Sequence, residues 1–451
     1  MKLNKWTVGL AAVGVVSLAS ATTAKADEAK MSALQTALSS TTISGYVDTS
    51  MQWNVGTGNA VVAPVSFQNS TKADGFNLNV VDLAIDKPED DSPWASGYHI
   101  ELWLGPDANT LATDSNPFSN PTAGGIYSYS YHGEGEYYSY TEGNQGASDF
   151  AIRQAYVVLR TPVGNGIDWK IGVFDSPLGY ESTSSPSNPN YTHSYGYTIE
   201  PTELTGVTAT YKVNDEISLQ AGIADVAGPM INERAFIVYE GEEYNYPTKA
   251  ESYKTYFGAI TLTAPQNWGW ANGSTVTAGV LNGYSTSVAE YGGTQTSWYV
   301  GGTLSTPVTG LKVGAAFDYL NAGNTSDDFT FNGEYDYDTW AAAFYANYQY
   351  NDKLSFNGRY DYWNAQNKNY LGETFDSVTA DVQYNLWANV ISRVEARWDH
   401  AEHGVWFGGT DPYYDNDDGY GEVGYPWYSE YDPANARENA FMLALQIIYQ
   451  F

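Results

Sequence analysis

The carboxyl-terminal segment Glu438–Phe451 reads E-N-A-F-M-L-A-L-Q-I-I-Y-Q-F. Counted back from Phe451, every second residue as far as Phe441 is apolar, whereas the residues between them include Gln446 and Gln450. Because a β-strand points alternate side chains to opposite faces, this segment has one apolar face and one mixed face. The pattern is typical of the closing strand of a β-barrel whose outer face meets lipid. A half-buried strand at the end of a soluble sheet is the alternative.

The amino-terminal residues predict export. Lys2 and Lys5 precede an apolar run, and small residues ending at Ala26 follow it. This order of charge, apolar run and small residues predicts a signal peptide over residues 1–26. The run is too short for a membrane-spanning helix, and no later stretch approaches the roughly 18 to 20 consecutive apolar residues that such a helix needs.

The rest of the chain divides into two parts. Residues 27–41 form a short amino-terminal periplasmic segment, in which Met31, Leu34 and Leu38 have helical spacing. This segment is either a short helix or a disordered leader into the first strand. Residues 42–451 form the predicted outer-membrane barrel domain.

The composition excludes several classes of protein. A formal net charge of −32 argues against nucleic acid as a partner. The chain has no cysteine, so neither disulfide bonds nor thiolate metal sites contribute. The 39 Tyr, 14 Trp and 44 Gly residues fit a barrel that is apolar only on its outward residues, whereas a disordered acidic chain would lack this aromatic content.

Segments that alternate with a period of two, bounded by turn residues, predict about sixteen strands. The even number fits an all-β, transmembrane, antiparallel up-and-down barrel with both chain ends on one side. The segments lie near residues 42–53, 75–87, 96–105, 149–161, 166–175, 204–213, 216–225, 252–264, 274–282, 296–306, 310–319, 338–350, 353–363, 374–386, 388–399 and 438–451. Two irregularities interrupt the alternation: a change of face near Val80-Val81 predicts a bulge, and the adjacent Arg153 and Gln154 require an outward polar group or a register shift.

The connections between these segments alternate between short and long. Short links include Asn214-Asp215 and Asn351-Asp352. Short periplasmic turns and long extracellular loops are the known asymmetry of outer-membrane barrels, and a soluble sandwich has no reason to sort its loops in this way. The long connections are residues 54–74, 106–148, 176–203, 226–251, 283–295, 320–337, 364–373 and 400–437.

The polar face of the strands is the predicted pore lining, because sixteen tilted strands enclose an aqueous passage. Acids and bases are nearly balanced on this face. So many charges imply water beside them, since a charge in a dry core is very costly. The predicted pore-lining residues are Asp48, Glu101, Arg153, Lys170, Lys212, Lys312, Asp318, Arg359, Asp361, Asp381, Arg393, Glu395, Arg397 and Asp399.

Most of the net negative charge lies in the long loops, so the outer mouth should concentrate cations. Alternatively, acidic loops only keep the surface solvated or bind divalent ions between neighbouring molecules. Loops 106–148 and 400–437 are also rich in Tyr and Gly. This composition suits either sugar binding or the packing of ordinary surface loops.

The sequence predicts no catalytic residues, no metal site and no cofactor. Asp415, Asp417, Asp418 and Glu422 are close together, but Tyr414 occupies the first ligand position of the usual acidic calcium loop. The five histidines are scattered over a strand and loops, without the serine or carboxylate partners that a hydrolase or zinc site would need.

One stretch resembles a known family. Between Asp149 and Tyr211, a G-x-F-x-x-P-x-G-x-E element occupies residues 172–181, and a Thr-Gly-Val strand follows at 205–207 after a Ser/Pro/Asn-rich loop. These residues, together with I-S-G-Y-V-D at 43–48, resemble the OmpL-like family of bacterial β-barrel porins. The resemblance implies an outer-membrane porin. By analogy with general porins, loop 176–203 either folds inward, with Glu181, Glu200 and Glu203 near the narrowest point, or stays outside.

The sequence therefore predicts a non-enzymatic porin of a Gram-negative-type outer membrane. We expect passive diffusion of small hydrophilic solutes and ions, with a preference for cations or permeability to sugars. The expected partners are these solutes, outer-membrane lipid and, in a homotrimer, further copies of the chain. The alternative is a surface adhesin or structural barrel that acts through its acidic aromatic loops.

Overall fold

The structure is a computed structural model that describes residues 40–55, 65–68, 72–111, 128–133, 136–141, 149–232, 253–285, 293–324, 337–367, 373–402, 407 and 437–451. The predicted signal peptide and nearly all of segment 27–41 lie outside these residues. The same is true of the acidic cluster between Asp415 and Glu422 and of most of loops 106–148 and 400–437.

Sixteen antiparallel strands close into a single barrel, which confirms the predicted fold class. Their order around the barrel follows the chain, and two further strands, β4 and β5, form a separate hairpin. The strands are β1 (Thr42–Asn54), β2 (Gly75–Lys87), β3 (Ser96–Leu104), β4 (Ser128–Gly133), β5 (Glu136–Thr141), β6 (Phe150–Thr161), β7 (Ile167–Asp175), β8 (Glu203–Lys212), β9 (Ile217–Ala224), β10 (Thr255–Thr263), β11 (Thr275–Ser285), β12 (Gly293–Ser305), β13 (Leu311–Asn324), β14 (Tyr337–Gln349), β15 (Leu354–Asn367), β16 (Glu373–Trp387), β17 (Val390–Ala401) and β18 (Asn439–Gln450).

Helical structure in the described residues is short. One α-helix, α1 (Tyr195–Ile199), lies between β7 and β8, and 3-10 turns cover Pro106–Asn109, Ser185–Ser187 and Gln266–Ala271. Among the residues described, no helix combines the length and the apolar character needed to cross a membrane.

The carboxyl-terminal strand closes the barrel. It pairs with β1 from Tyr46 opposite Gln450 to Asn54 opposite Met442. Its faces are those predicted from the alternation: Ile447 is 43% exposed on the outer surface, whereas Gln446 on the inner face is 1% exposed. Exposed apolar side chains outside and buried polar ones inside are the arrangement of a barrel set in lipid.

Each of the sixteen predicted strands matches an observed one, and the main differences are at the strand ends. β11, β13 and β15 run several residues further toward the long loops than predicted, because their Asn- and Gly-containing ends remain paired with the neighbouring strands. Glu203 is the first residue of β8 and so belongs to the wall, not to the loop in which the sequence placed it.

Both predicted irregularities are present. In β2 the register shifts around Asn79, next to the predicted position, and the Asn79 side-chain amide donates to Asp48 Oδ1 at 3.0 Å. In β6 the register shifts between Gln154 and Ile152, so Arg153 is the extra residue. The bulge explains how adjacent Arg153 and Gln154 can both be buried.

The faces of β10 generate a prediction, because Ile260 and Thr261 are consecutive but point in opposite directions. Ile260 is 40% exposed on the outer surface, whereas the Thr261 hydroxyl lies 2.9 Å from that of Thr277 inside. Ile260→Arg should lower the free energy of unfolding in lipid vesicles by about 2–4 kcal/mol, because the charge meets hydrocarbon. Thr261→Arg, the control, should change it by about 0.5 kcal/mol or less. Equal losses would contradict the assigned faces.

Candidate functional site

Residues 176–202, which connect β7 to β8, fold into the barrel and are called the inward loop. The Ser176 N–H donates to the Thr202 carbonyl at 2.8 Å and closes the base of the loop. Leu178 then packs into an apolar cluster of inner-wall side chains that includes Phe257. Of the two alternatives that the sequence left open, the structure has the inward one for this segment.

Tyr180 of the inward loop contacts inner-wall residues on β12, β13 and β14. Its hydroxyl lies 3.0 Å from that of Thr303, and its ring stacks on Tyr345 with the centroids 4.3 Å apart. A Cβ atom on Gly314 would clash with the Tyr180 hydroxyl, so the tyrosine fills the space that this glycine leaves. A larger residue at position 314 would displace the loop.

Beyond Tyr180 the loop covers a group of seven charged side chains on β15, β16 and β17, called the charged wall. All seven residues are at most 3% exposed. Since residues two apart share a face of a strand, R-Y-D in β15 and R-V-E-A-R-W-D in β17 each place alternating charges on the inner face. The members are Arg359, Asp361, Asp381, Arg393, Glu395, Arg397 and Asp399.

The strand register arranges the charged wall in rows, and the charged side chains within one row have the same sign. Asp361 and Asp399 lie on either side of Ser377, and the next row toward the periplasm has Arg359 and Arg397 on either side of Thr379. Asp381 and Glu395 are paired directly in the row below. Acidic and basic rows therefore alternate along the barrel axis, which allows ion pairs such as Arg359 Nε to Asp361 Oδ2 at 2.9 Å.

The acidic rows accept hydrogen bonds from the inward loop. Glu395 accepts from the backbone N–H groups of Tyr191 and Thr192 at 2.6 and 3.1 Å, and from the Thr192 hydroxyl at 2.6 Å. Tyr195 donates its N–H to Asp361 at 3.1 Å and its hydroxyl to Asp399 at 2.6 Å. Hydrogen bonds to a buried carboxylate offset part of the cost of removing it from water.

The basic rows donate to loop carbonyl groups. Arg359 donates to the His193 carbonyl at 2.9 Å, and Arg397 donates to the same oxygen at 2.8 Å. Arg393 donates to the carbonyls of Ser185, at 3.0 Å, and Asn188. The loop backbone thus presents N–H groups to the acids and C=O groups to the arginines.

Glu181 is the carboxylate that the inward loop itself contributes to this network. Its side chain is 5% exposed, lies 3.3 Å from Arg359 Nη1, and accepts from the Tyr345 hydroxyl and the Ser194 N–H, each at 2.9 Å. Burial alone would raise the pKa of Glu181, but the charge of Arg359, the His193 side chain and the Ser194 hydrogen bond outweigh burial and lower it to about 2. Glu181 is therefore ionised and fully paired.

The other two predicted constriction residues have different surroundings. Glu200 accepts from the Tyr180 N–H at 3.3 Å and interacts with Asp318, and burial together with the Asp318 and Glu181 charges raises its pKa well above its usual range. Glu203 is completely buried at the start of β8, next to Asp175 of β7. The position of these three glutamates at the narrowest point stays a prediction.

The fourteen predicted pore-lining side chains all lie on wall strands, but they differ in exposure. Lys170 is half-buried and Lys212 and Lys312 are exposed, whereas each of the other eleven residues is less than a tenth exposed. Ion pairs, inner-wall side chains and the inward loop lie beside these eleven residues, and the pore-lining role of all fourteen stays a prediction. Asp48, for example, accepts two hydrogen bonds from Gln446 and one from Asn79.

Sequence reasoning missed the residues that hold the inward loop, and it also missed a polar, partly exposed region of the inner wall. Tyr191, Thr192 and Tyr195 are aromatic or hydroxyl residues in a Ser/Pro/Asn-rich loop, and nothing local in the sequence marks them as partners of β15 and β17. The polar region could have been found, because β10 and β11 carry threonine at alternate positions, including Thr261 and Thr277.

No group of three or more metal-ligating side chains suited to a metal ion occurs in the part of the chain that the structure describes. The acidic cluster 415–422 lies outside that part.

Comparisons with known proteins agree with this architecture. A family model described as beta-barrel porin-2, OmpL-like, matches residues 40–425. No curated protein sequence matches the chain.

Solved structures of outer-membrane channels are similar in fold. The outer-membrane channel DcaP of Acinetobacter baumannii is 13% identical, with a TM-score of 0.52 over 91% of this chain and 97% of that one. The anion-selective porin from Comamonas acidovorans is 10% identical, with a TM-score of 0.53 over 91% and 99%. Salmonella typhi OmpF, solved in complex with daunomycin, is 11% identical, with a TM-score of 0.50 over 91% and 97%. At these identities the similarity concerns the fold.

The contacts of Glu395 predict how firmly the inward loop is held. Glu395→Gln removes the charge that accepts three hydrogen bonds from Tyr191 and Thr192, and should weaken loop attachment by about 1.5–3 kcal/mol. Backbone hydrogen exchange should therefore accelerate at residues 185–195. Glu402→Gln, an exposed change just after the same strand, is the control. Unchanged exchange in the Glu395 variant would contradict the proposed attachment.

The pKa of Glu181 predicts an acid-sensitive loop. Because this pKa is depressed to about 2, the stabilisation from Glu181 is complete above its usual value of about 4.5 and is lost as the pH falls toward 2. The hydrogen-exchange protection factor of the loop, which is corrected for the intrinsic effect of pH on exchange, should fall over this interval. Glu181→Gln should have lower protection factors already at pH 7, and these should lose much of their pH dependence. An identical pH profile in both proteins would rule out this role of Glu181.

Proposed function

The chain belongs to the OmpL-like family of β-barrel porins of the Gram-negative outer membrane, and from this premise we propose that small hydrophilic solutes diffuse passively along the inner wall that the inward loop leaves uncovered. One observation carries the proposal. The loop is fixed to the charged wall, whereas inward polar residues on β8–β12, such as Thr210, Ser218 and Thr277, keep partial exposure to solvent. A wall of hydroxyl and amide groups can exchange hydrogen bonds with a passing solute or with water.

Selection by size follows from the position of the inward loop. The loop extends from Leu178 in the apolar cluster to Tyr191 and Thr192, whose N–H groups donate to Glu395 of β17. It therefore occupies lumen that sixteen strands would otherwise leave to water. Hydrogen bonds to buried charges hold the loop against β15–β17, and the contacts of Leu178 and Tyr180 hold it against β10–β14. The loop therefore acts as a fixed part of the wall. The solute then meets a narrowed passage without any conformational step.

We retain the preference for cations or neutral sugars as a proposal about the outer mouth, whose acidic loops support it. The proposed partners are the same as those expected from the sequence: solutes, ions and outer-membrane lipid, no nucleic acid, and further copies of the chain in a homotrimer. Residues 1–26 are proposed as the export signal and residues 42–451 as the barrel domain. The family and fold are those of a non-enzymatic channel, and we propose that the chain catalyses no reaction.

A surface adhesin or structural barrel is the second candidate, favoured by the acidic, tyrosine-rich loops 106–148 and 400–437. It requires no passage through the barrel. Transport measurements therefore separate the two candidates.

Liposome swelling tests the proposal directly. Vesicles that contain the protein should swell in pentoses and hexoses, with rates that fall as the sugar becomes larger. A variant in which residues 182–199 are replaced by a short Gly/Ser linker should swell several-fold faster in the larger sugars, because the loop no longer fills the lumen. Heat-modifiable migration in detergent gels provides the folding control. Folded protein that causes no swelling would favour the adhesin.

A further inference from the structure

Two carboxyl groups, Glu200 of the inward loop and Asp318 of β13, are hydrogen-bonded to each other. Glu200 follows α1 and is partly exposed, whereas Asp318 is 5% exposed on the inner wall. One acid therefore comes from the loop and the other from the wall, and solvent reaches the pair at Glu200.

Two glycines of the inward loop make room for these carboxyl groups. A Cβ atom on Gly179 would lie 2.6 Å from Glu200 Oε2, and a Cβ atom on Gly196 would lie 2.6 Å from Asp318 Oδ2. Gly179 also has a φ of 140°, which side chains other than that of glycine rarely allow. The Tyr180 N–H donates to Glu200 Oε1 at 3.3 Å. The loop backbone thus packs directly against both acids.

The pair has no positive counter-charge. Within the described part of the chain, neither Glu200 nor Asp318 forms an ion pair with a Lys, Arg or His side chain. The nearest further carboxylate is Glu181, whose negative charge repels that of the pair. Arg359 of β15 and the Tyr345 hydroxyl of β14 contact Glu181 and are therefore engaged.

The remaining titratable groups that face the pair are phenols. Tyr180 and Tyr197 belong to the inward loop, and Tyr299 lies on β12. A phenol is neutral below about pH 10, so none of the three supplies a charge near neutral pH.

Two carboxyl groups in direct contact share one proton, because two negative charges so close together repel each other strongly. The protonated group donates its hydrogen to the ionised one. Burial and the charges of Asp318 and Glu181 raise the pKa of Glu200 well above its usual range, in agreement with a proton that is retained at neutral pH. The pair then carries one negative charge instead of two.

We propose that the pair of Glu200 and Asp318 determines how the ion preference of the channel varies with pH, an inference that rests on the channel function proposed above. With the shared proton in place, the pair adds one negative charge to the lumen. Loss of this proton at alkaline pH adds a second charge at the same point, so cations become more concentrated beside the loop and anions less so. The loop stays in position, because its hydrogen bonds to Glu395 and Arg359 do not involve this proton.

Reversal potentials in planar bilayers test the proposal. Between about pH 7 and about pH 10, the potassium-to-chloride permeability ratio of the wild-type protein should rise about twofold. Glu200→Gln and Asp318→Asn each leave one ionised carboxylate beside a neutral amide donor. Each variant should therefore equal the wild type at pH 7 and lack the rise at alkaline pH. The double variant has no charge at this point, and its ratio at pH 7 should be about twofold below that of the wild type.

Asp215→Asn is the matched control, because Asp215 is an exposed acid in the turn after β8. This variant should keep the alkaline rise of the wild type. A rise of equal size in Glu200→Gln, Asp318→Asn and the wild type would overturn the proposal, since the titration would then belong to other groups.

Infrared difference spectra of the folded protein detect the shared proton without any transport, because the C=O stretch of a protonated carboxyl group is separate from the bands of carboxylates. The wild type should lose a protonated-carboxyl band between pH 7 and pH 10, and both single variants should lack this band at pH 7. A band that persists in both variants would overturn the shared proton. A wild type that shows the band but conducts no ions would instead overturn the channel function, and with it the role of the pair in ion preference.

Discussion

The structure depends on one constraint: inside hydrocarbon, every backbone N–H and C=O group must find its partner within the protein. Pairing of β18 with β1 satisfies this constraint by removing the last two sheet edges. The same pairing fixes the faces of all sixteen strands, because a slip of one residue would move every side chain to the opposite face. In the observed register Asp48 and Gln446 meet inside, while Ile447 faces outward.

The inward loop and the charged wall also depend on each other for hydrogen-bond partners. Arginine and carboxylate side chains this deeply buried are costly unless ion pairs or hydrogen bonds compensate them, and several of the partners are backbone groups of the loop. Without the loop, Glu395 would lose two N–H donors and Arg393 two carbonyl acceptors. In turn, several backbone groups of residues 185–195, such as the Tyr195 N–H and the His193 carbonyl, find their hydrogen-bond partners on the wall. This mutual dependence makes the loop a structural part of the barrel, unlike a lid that opens and closes.

The barrel could be predicted from the sequence because the patterns that identify its strands are local. Alternation of apolar and polar residues identifies strands and their faces, and even the bulge at Arg153 left a sign in the adjacent polar pair. The contacts of the inward loop could not be predicted, since Tyr191 and Glu395 are 204 residues apart and no local pattern connects them. Periodicity likewise shows that Arg397 points inward, but it cannot show that a loop covers it. For this reason the ion pairs and hydrogen bonds around such residues could not be predicted.

Whether a charge on the inner wall affects a passing solute also depends on long-range contacts, which local sequence patterns do not show. Counting formal charges along the inner face gives a near balance, which suggests a channel without strong preference. Yet a charge that is buried and paired, such as Arg359 beside Asp361 and Glu181, contributes little to the potential that a solute feels, because its field is cancelled at short range. The potential in the passage is set by the exposed groups, and on the described inner wall these include Lys212 and Lys312. The proposed preference for cations concerns the acidic loops of the outer mouth. The selectivity of a channel therefore depends on which charges its fold leaves unpaired and at which end of the barrel they lie.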